Sequence, residues 1–124
     1  MIISHIALHY ANEEQADIFF GKVLGLKQEK EFVLYSDFSK MLFGIRKDIK
    51  VKVFSNNKTV FEIFITDIKS KMTFEHICLS IRDIKGLIRK CKRYGITILT
   101  IKRNSKKYLF IKDTSGYLYE IKKI

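Results

Sequence analysis

The sequence predicts an α+β fold in which two βαβββ modules pack as one domain. The main observation is an internal repeat, since His5-Ile6-Ala7-Leu8 returns as His76-Ile77-Cys78-Leu79 with an offset of 71 residues. A glycine follows the histidine after 20 residues in the first copy (Gly25) and after 19 in the second (Gly95). A repeat of this period is typical of two copies of one supersecondary unit. We therefore expect the first module over about residues 1–68 and the second over about 72–124.

The first module begins with alternating residues over 3–10, which predict a strand. Asn12 and Gln15 follow in a helix-capping pattern, and the acidic residues between them suit the positive first turn of a helix. Helical spacing continues at Ala16, Phe19, Phe20, Val23 and Leu24. Gly25 stands where a left-handed C-terminal cap belongs. After it we expect strands near 26–36, 39–46 and 58–66, with a loop around 56–57.

The second module repeats this order. Residues 74–81 alternate as a strand does, and Asp83 can cap a helix that Gly95 closes. The apolar side of that helix is Ile84, Leu87, Ile88 and Cys91. Strands are expected near 96–103, 107–112 and 117–123, with turns at 104–105 and 114–116. Because no linker separates the modules, we expect one domain with the helices on one side of the sheet.

Length and composition limit the class of protein. A chain of 124 residues with 47% apolar composition fits one domain with a real core. No apolar run approaches the ~18 residues of a membrane span, and the first residues lack a signal-peptide pattern. Two cysteines, Cys78 and Cys91, are too few for a disulfide framework. We expect a cytoplasmic protein without a membrane partner.

The net charge of +11 is unevenly distributed. Residues 1–38 hold three Lys and six acidic residues, whereas residues 39–124 hold 21 basic and seven acidic ones. A basic surface attracts nucleic acid or small anions. However, the chain has no dense basic run and no nucleic-acid motif, so we expect no nucleic-acid partner. Stretches such as 49–53, where lysines alternate with apolar residues, are typical of a strand with one face in water.

Strand alternation indicates which residues share a face. In each of these two strands, every second residue is aliphatic and suits the face that packs against the helices. His5 and His76 alternate with those residues, so we expect them on the opposite face. Glu62 and Glu120 lie within the last strand of their modules, where a carboxylate is costly unless it is satisfied. Two histidines and two carboxylates, one of each per module, predict a site for a divalent metal. A single histidine on a strand is usually a satisfied core residue, and a single glutamate is usually exposed. The occurrence of one of each in both modules favours the metal site over these explanations.

These stretches resemble the vicinal oxygen chelate superfamily, also called the glyoxalase/bleomycin resistance/dioxygenase superfamily. The resemblance covers essentially the whole chain. In the first module the resemblance is carried by residues 5–8, by the helix at 15–20 and by residues 23–26. In the second module it is carried by residues 76–79. Residues 111–121 are similar to the signature F-x-D-P-D-G-N-x-x-E-L, with Thr114 where proline is usual.

The resemblance implies a cup of curved mixed sheets around a metal, with the helices outside. It implies the ligands His5, Glu62, His76 and Glu120, a set similar to that of glyoxalase I. The metal would be nickel, zinc, cobalt, manganese or iron, and the chain is expected to form a homodimer. The implied activity is that of a lactoylglutathione lyase-like lyase or isomerase. It would act by proton transfer through a metal-stabilised enediolate on a small carbonyl or thiohemiacetal, with Glu120 slightly favoured over Glu62 as the base.

Several alternatives stay open at the sequence level. Glyoxalase I enzymes usually carry Arg four residues after the first ligand, where this chain has His9, so the use of glutathione is undecided. The same fold also supports a non-catalytic protein that binds a small molecule or an antibiotic. Side chains that would line the cup or fill the core are His9, Phe43, Cys78, Tyr108, Phe110 and Tyr119. The basic residues Lys102, Arg103, Lys106 and Lys107 would hold an anionic substrate or face solvent.

Overall fold

A computed structural model describes residues 3–68 and 76–124. The chain divides into two compact units, Met1–Lys69 and Ser70–Ile124. Each unit contains one mixed sheet of four strands. The α+β class and the two modules of the βαβββ type are therefore confirmed.

In the first unit, the sheet has the order β1-β4-β3-β2, with β1 parallel to β4 and the other neighbours antiparallel. Its strands are β1 (Ile6–Tyr10), β2 (Lys27–Leu34), β3 (Ile49–Ser55) and β4 (Val60–Ile65). Helix α1 joins an α-helical turn, Glu13–Ala16, to a π-helical segment, Asp17–Val23, and helix α2 covers Ser36–Phe43.

The second unit has the same strand order, β5-β8-β7-β6, again with its first strand parallel to its last. The strands are β5 (Ile77–Ile81), β6 (Thr97–Arg103), β7 (Lys106–Lys112) and β8 (Leu118–Lys123), and helix α3 covers Ile84–Arg93. The start of the predicted strand 74–81 lies partly outside the described residues. None of the helices in the described part of the chain combines the length and apolar character that crossing a bilayer requires.

The predicted helix caps are present in both units. Asn12 Oδ1 accepts a hydrogen bond from the Gln15 N–H at 3.0 Å, and Asp83 Oδ1 accepts one from the Gly86 N–H at 2.8 Å. Gly25 and Gly95 close their helices with φ of 70° and 69°. Residues other than glycine rarely adopt this left-handed conformation, which explains why glycine occupies both positions.

The core of the first unit lies between α1 and one face of its sheet. The Phe20 ring contacts Tyr10 of β1 at 5.5 Å, Phe54 of β3 at 5.5 Å and Phe61 of β4 at 5.2 Å between ring centroids. These strand residues project from the same face of the sheet and are buried. Residues of the other parity, including Glu62, therefore project from the opposite face of the sheet.

The core of the second unit uses the corresponding face. Cys91 of α3, Ile111 of β7 and Tyr119 of β8 are fully buried. Tyr119 is therefore a core residue, which decides one of the alternatives that the sequence left open. Burial raises the pKa of the Cys91 thiol, because the thiolate would lose its hydration.

The strand predicted near 39–46 is wrong. Residues 36–43 form helix α2, and the third strand of the unit follows at Ile49–Ser55. Gly44 ends the helix with φ of 70°, and its N–H donates to the carbonyls of Lys40 and Ser39. The buried Ser39 hydroxyl donates to the carbonyls of Leu34 and Tyr35 at 3.3 Å, which fixes the helix to the end of β2.

The expectation that the lysines of 49–53 face water is also wrong for Lys52. Its side chain is only 6% exposed, and Nζ lies 2.6 Å from Asp17 Oδ1 and 3.1 Å from Glu13 Oε1 on α1. Burial opposes the charge of Lys52, but the hydrogen bonds to Asp17 and Glu13 outweigh it and raise the pKa of Lys52. The strand thus turns a lysine toward the helix, where two acidic residues neutralise it.

Candidate metal centre

The first unit brings His5 and Glu62 together. His5 immediately precedes β1, and β1 runs parallel to β4 with Ala7 opposite Glu62. His5 Nε2 lies 3.5 Å from Glu62 Oε2, and the two side chains are 48% and 22% exposed. The first and last strands of the unit therefore place an imidazole and a carboxylate side by side on the face opposite α1.

The second unit repeats this arrangement with His76 and Glu120. His76 immediately precedes β5, which runs parallel to β8 with Cys78 opposite Glu120. His76 Nε2 lies 3.5 Å from Glu120 Oε2, and the side chains are 41% and 16% exposed. The same pair, on the same two strands and at the same distance, occurs in both units.

A turn held by the buried Asp113 positions the strand that carries Glu120. Asp113 accepts hydrogen bonds from the N–H groups of Ser115 at 3.1 Å and Tyr117 at 2.8 Å, and from the Tyr119 hydroxyl at 3.1 Å. Asp113 is the aspartate of the signature segment, and it ties the turn to the core just before Glu120. Thr114, which replaces the usual proline, is exposed and leaves these bonds in place.

Different side chains surround the two pairs. In the first unit, Phe64 shares the face of Glu62 on β4, and its ring lies 5.5 Å from that of Phe43 on α2. In the second unit, Phe110 is directly opposite Glu120 in the sheet, and its ring lies 6.2 Å from that of His76. Each pair therefore has an aromatic residue beside it.

The donor chemistry of each pair fits a divalent metal. Imidazole nitrogen and carboxylate oxygen are ligands of zinc and related ions, and two such ligands about 2.0–2.2 Å from one ion lie roughly 3 to 3.5 Å apart. The observed 3.5 Å in both pairs agrees with two neighbouring ligands of one ion. Within residues 3–68 and 76–124, no group of three or more His, Cys, Asp or Glu is placed to hold a metal. The structure therefore forms one His–Glu pair within each unit, and the four-ligand set stays a prediction.

The other predicted site residues lie in different places. His9 is half-buried and pairs in register with Phe64, on the Glu62 face of the first sheet. Cys78 is exposed and lies opposite Glu120. Tyr108 shares the parity of Phe110 and is 37% exposed, so both belong to the site face and not to the core. The basic residues at 102–103 and 106–107 lie at the end of β6 and the start of β7, on either side of the turn at 104–105.

Sequence reasoning missed one charged neighbour of this site. Lys122 Nζ lies 3.7 Å from Glu120 Oε1, on the oxygen that does not face His76. The signal was present, because residues two apart on a strand share a face.

The two units share one topology, and each has a histidine before its first strand and a glutamate in its last strand. We compared the chain with known protein families. The family model of the Glyoxalase/Bleomycin resistance protein/Dioxygenase superfamily matches residues 2–121. The chain belongs to this superfamily. A search of the curated proteins found no significant match.

Solved structures share the fold at low sequence identity. The fosfomycin resistance protein FosX from Listeria monocytogenes is 16% identical with a TM-score of 0.74, over 98% of this chain and 92% of that one. The trypanothione-dependent glyoxalase I of Leishmania major is 17% identical with a TM-score of 0.71, over 96% and 84%. A variant of the Listeria FosX, 17% identical with a TM-score of 0.72 over 97% and 87%, was solved with Mn(II) and 1S,2S-dihydroxypropylphosphonic acid. These likenesses concern the fold.

Proposed function

We propose that the protein is a metal-dependent lyase or isomerase of the glyoxalase type, acting on a small carbonyl or thiohemiacetal. The observation that carries this proposal is the repeated His–Glu pair, with Nε2 and Oε2 3.5 Å apart in both units. A protein that only sequesters a ligand has no need of two matched pairs of metal-binding side chains. The Mn(II) bound to the FosX variant supports a divalent ion in a fold of this kind.

All four side chains would hold the metal, and one of them would also transfer a proton. His5, Glu62, His76 and Glu120 would be its ligands. When bound, a divalent ion polarises a carbonyl oxygen and stabilises negative charge that develops on it. Glu120 then takes a proton from one substrate carbon and returns it to the neighbouring carbon. We assign this role to Glu120 because its side chain is the least exposed of the four, which keeps water from the transferred proton.

The metal content of the purified protein tests the proposal. Elemental analysis of the wild type, reconstituted with nickel, zinc, cobalt or manganese, is expected to find about one ion per chain. The His5→Ala/His76→Ala variant is expected to lose it, because imidazoles are strong ligands for these ions. His9→Ala is the matched control, since His9 lies on the same sheet face as Glu62 outside the proposed ligand set.

Two results would count against this function. A wild-type protein that takes up none of these ions overturns it and favours a binding protein on the same fold. Equal metal content in the double variant and in the wild type shows that the ligands lie elsewhere.

We also propose that the chain forms a homodimer. Helix α2 and the residue before it carry a group of exposed apolar side chains: Tyr35, Phe38, Met41, Leu42 and Phe43. Contiguous exposed apolar surface of this kind is typical of protein interfaces. This group supports burial of α2 against a second copy of the chain.

A further inference from the structure

Helix α3 (Ile84–Arg93) presents a basic surface to solvent. Leu87 and Cys91 of this helix are buried in the core of the second unit. The charged side chains of the helix are exposed on its other side, and all of them are basic: Lys85, Arg89, Lys90, Lys92 and Arg93. Arg82, just before the cap residue Asp83, is exposed as well. Because residues three and four apart share a face of a helix, these six basic side chains form one surface, which we call the α3 basic face.

The carboxylates of the described residues do not neutralise this face. Asp83 is the acidic residue nearest to it in the sequence, and its carboxylate accepts the hydrogen bond from the Gly86 N–H that caps the helix. Within residues 3–68 and 76–124, the ion pairs of lysine and arginine involve lysines between 47 and 52 and Lys122, and none involves the α3 basic face. Like charges three and four residues apart repel one another and destabilise a helix. A bound polyanion would relieve this repulsion.

The corresponding helix of the first unit shows that the fold does not require this charge. Helix α1, over 13–23, follows β1 as α3 follows β5, and it contains three acidic residues and one lysine. Helix α3 contains five basic residues and no acidic one. Two acidic residues of α1, Glu13 and Asp17, bind Lys52 of their own sheet. The same element therefore carries opposite charge in the two units, and the charge of α3 is left for a partner.

A polyanion of linear shape fits the α3 basic face. The helix is about 15 Å long, and basic residues three or four apart rise along it in steps of about 4.5 to 6 Å. A nucleic-acid duplex presents about one phosphate per 1.7 Å of its axis, so several phosphates lie within the length of the helix. Arg89 and Arg93 can each bind a phosphate through two parallel hydrogen bonds. We propose that the α3 basic face binds the phosphate backbone of a nucleic-acid duplex without reading its base sequence.

An anionic membrane is a less suitable partner for this helix. Helices that bind a membrane surface bury an apolar face among the lipids. The apolar residues of α3 belong to the core instead, since Leu87 and Cys91 are 5% and 0% exposed. The prediction of no nucleic-acid partner rested on the lack of a dense basic run in the sequence. Helix formation gathers on one face basic residues that other residues separate along the chain, so we revise that prediction.

Fluorescence anisotropy of a labelled DNA duplex tests this proposal. For the wild type, the logarithm of the binding constant is expected to fall with the logarithm of the salt concentration with a slope of about −4, since about four to five phosphates are contacted. Lys85→Gln/Arg89→Gln/Lys92→Gln is expected to weaken binding at least about tenfold at low salt and to make the slope less steep by about two to three. Lys85→Arg/Arg89→Lys/Lys92→Arg keeps the charge and is expected to keep the slope. Duplexes of shuffled sequence are expected to bind equally, and an RNA duplex in a second arm determines which nucleic acid is preferred.

A variant of the first unit provides the matched control. Lys22→Gln/Arg46→Gln/Lys58→Gln removes the same charges from exposed positions of that unit and is expected to stay within about threefold of the wild type. Equal weakening in this control and in the α3 variant would show that net charge governs binding, and would overturn the proposal. Wild-type protein that binds neither duplex also overturns it, as does tighter binding to vesicles of phosphatidylserine and phosphatidylcholine than to either duplex. Glu120 projects from the face of its sheet opposite to the core, so no outcome depends on the proposed metal site.

Discussion

Glu120 is the residue on which most of the site depends. It contacts His76 through one oxygen and Lys122 through the other, and Asp113 fixes the turn that leads into its strand. Glu62 has the equivalent place in the first unit, with Phe64 in the position of Lys122. The two carboxylates therefore share a position in the repeat but have different neighbours, which suits different roles.

We expect Glu120→Gln to reduce turnover about 10²- to 10⁴-fold on a substrate found by screening thiohemiacetals, because the amide cannot accept the proton. Glu62→Gln is the matched variant and is expected to lose less activity at saturating metal. Steady-state kinetics with the metal content of each sample determined alongside would measure both. Full turnover in Glu120→Gln would reject this residue as the base.

At this scale, alternation along the strands predicted the face of His5 and His76, whereas the pairing of each histidine with the glutamate of its own unit comes from the structure. Within each unit the histidine contacts the glutamate, His5 with Glu62 and His76 with Glu120. They meet because the first and last strands run parallel and both side chains project from the same face of the sheet. Alternation could not predict how deeply a residue is buried. Lys52 shows this limit, since whether a helix covers its face depends on tertiary packing.

Helix α1 is held to its sheet by charges as well as by aromatic packing. Lys52 and Lys50 of β3 both bind Glu13 in the first turn of the helix, at 3.1 Å in each case. The hydrogen bonds from Lys52 and Lys50 hold the pKa of Glu13 below its ordinary value of 4.5. A carboxyl of lowered pKa stabilises the fold above its ordinary pKa, and this contribution is lost as the pH falls through the lower value in the folded state.

We therefore expect the wild type to exceed Glu13→Gln in free energy of unfolding by about 0.5 kcal/mol at pH 6, as is usual for a partly exposed ion pair. The difference should shrink between about pH 5 and pH 3, because the unfolded chain takes up a proton at Glu13 before the folded chain does. Urea unfolding at several pH values measures this. Glu14→Gln is the control, since Glu14 is the neighbouring acidic residue of the same helical turn and its side chain is exposed. A constant difference for Glu13→Gln would contradict the account.

The element that sequence reasoning misjudged is α2. Consecutive apolar residues at 41–43 resemble part of a strand, and most apolar side chains of the helix are exposed, so no core-facing stripe identified it. Gly44 after the apolar run was the available signal for a helix end. The remaining strands were predicted close to their observed positions, because turn residues and glycines mark where they begin and end.

At the scale of the whole molecule, the internal repeat predicted the architecture. A histidine motif recurring after 71 residues indicated two copies of one unit, and both units have their strands in the same order. The repeat does not extend to α2, which joins β2 to β3 in the first unit, whereas a tight turn at 104–105 joins β6 to β7 in the second. This added helix is the surface that we propose for a dimer interface.

Sedimentation equilibrium tests that interface. The wild type is expected to be a dimer, and Met41→Lys/Leu42→Lys is expected to raise its dissociation constant at least about tenfold, because both side chains are exposed in the single chain and would become buried. Ile124→Lys is the control, since Ile124 is equally exposed but lies at the end of the second unit. A monomeric wild type, or an unchanged dissociation constant in the double variant, would contradict the assignment.

The central claim is that both His–Glu pairs bind one ion. X-ray absorption spectroscopy of the zinc-loaded protein measures it most directly, because the outer scattering shells count the imidazoles bound to each ion. We predict one ion per chain with two imidazoles in the wild type and in His9→Ala. Two ions per chain with one imidazole each, or an ion bound by no imidazole, would contradict the claim.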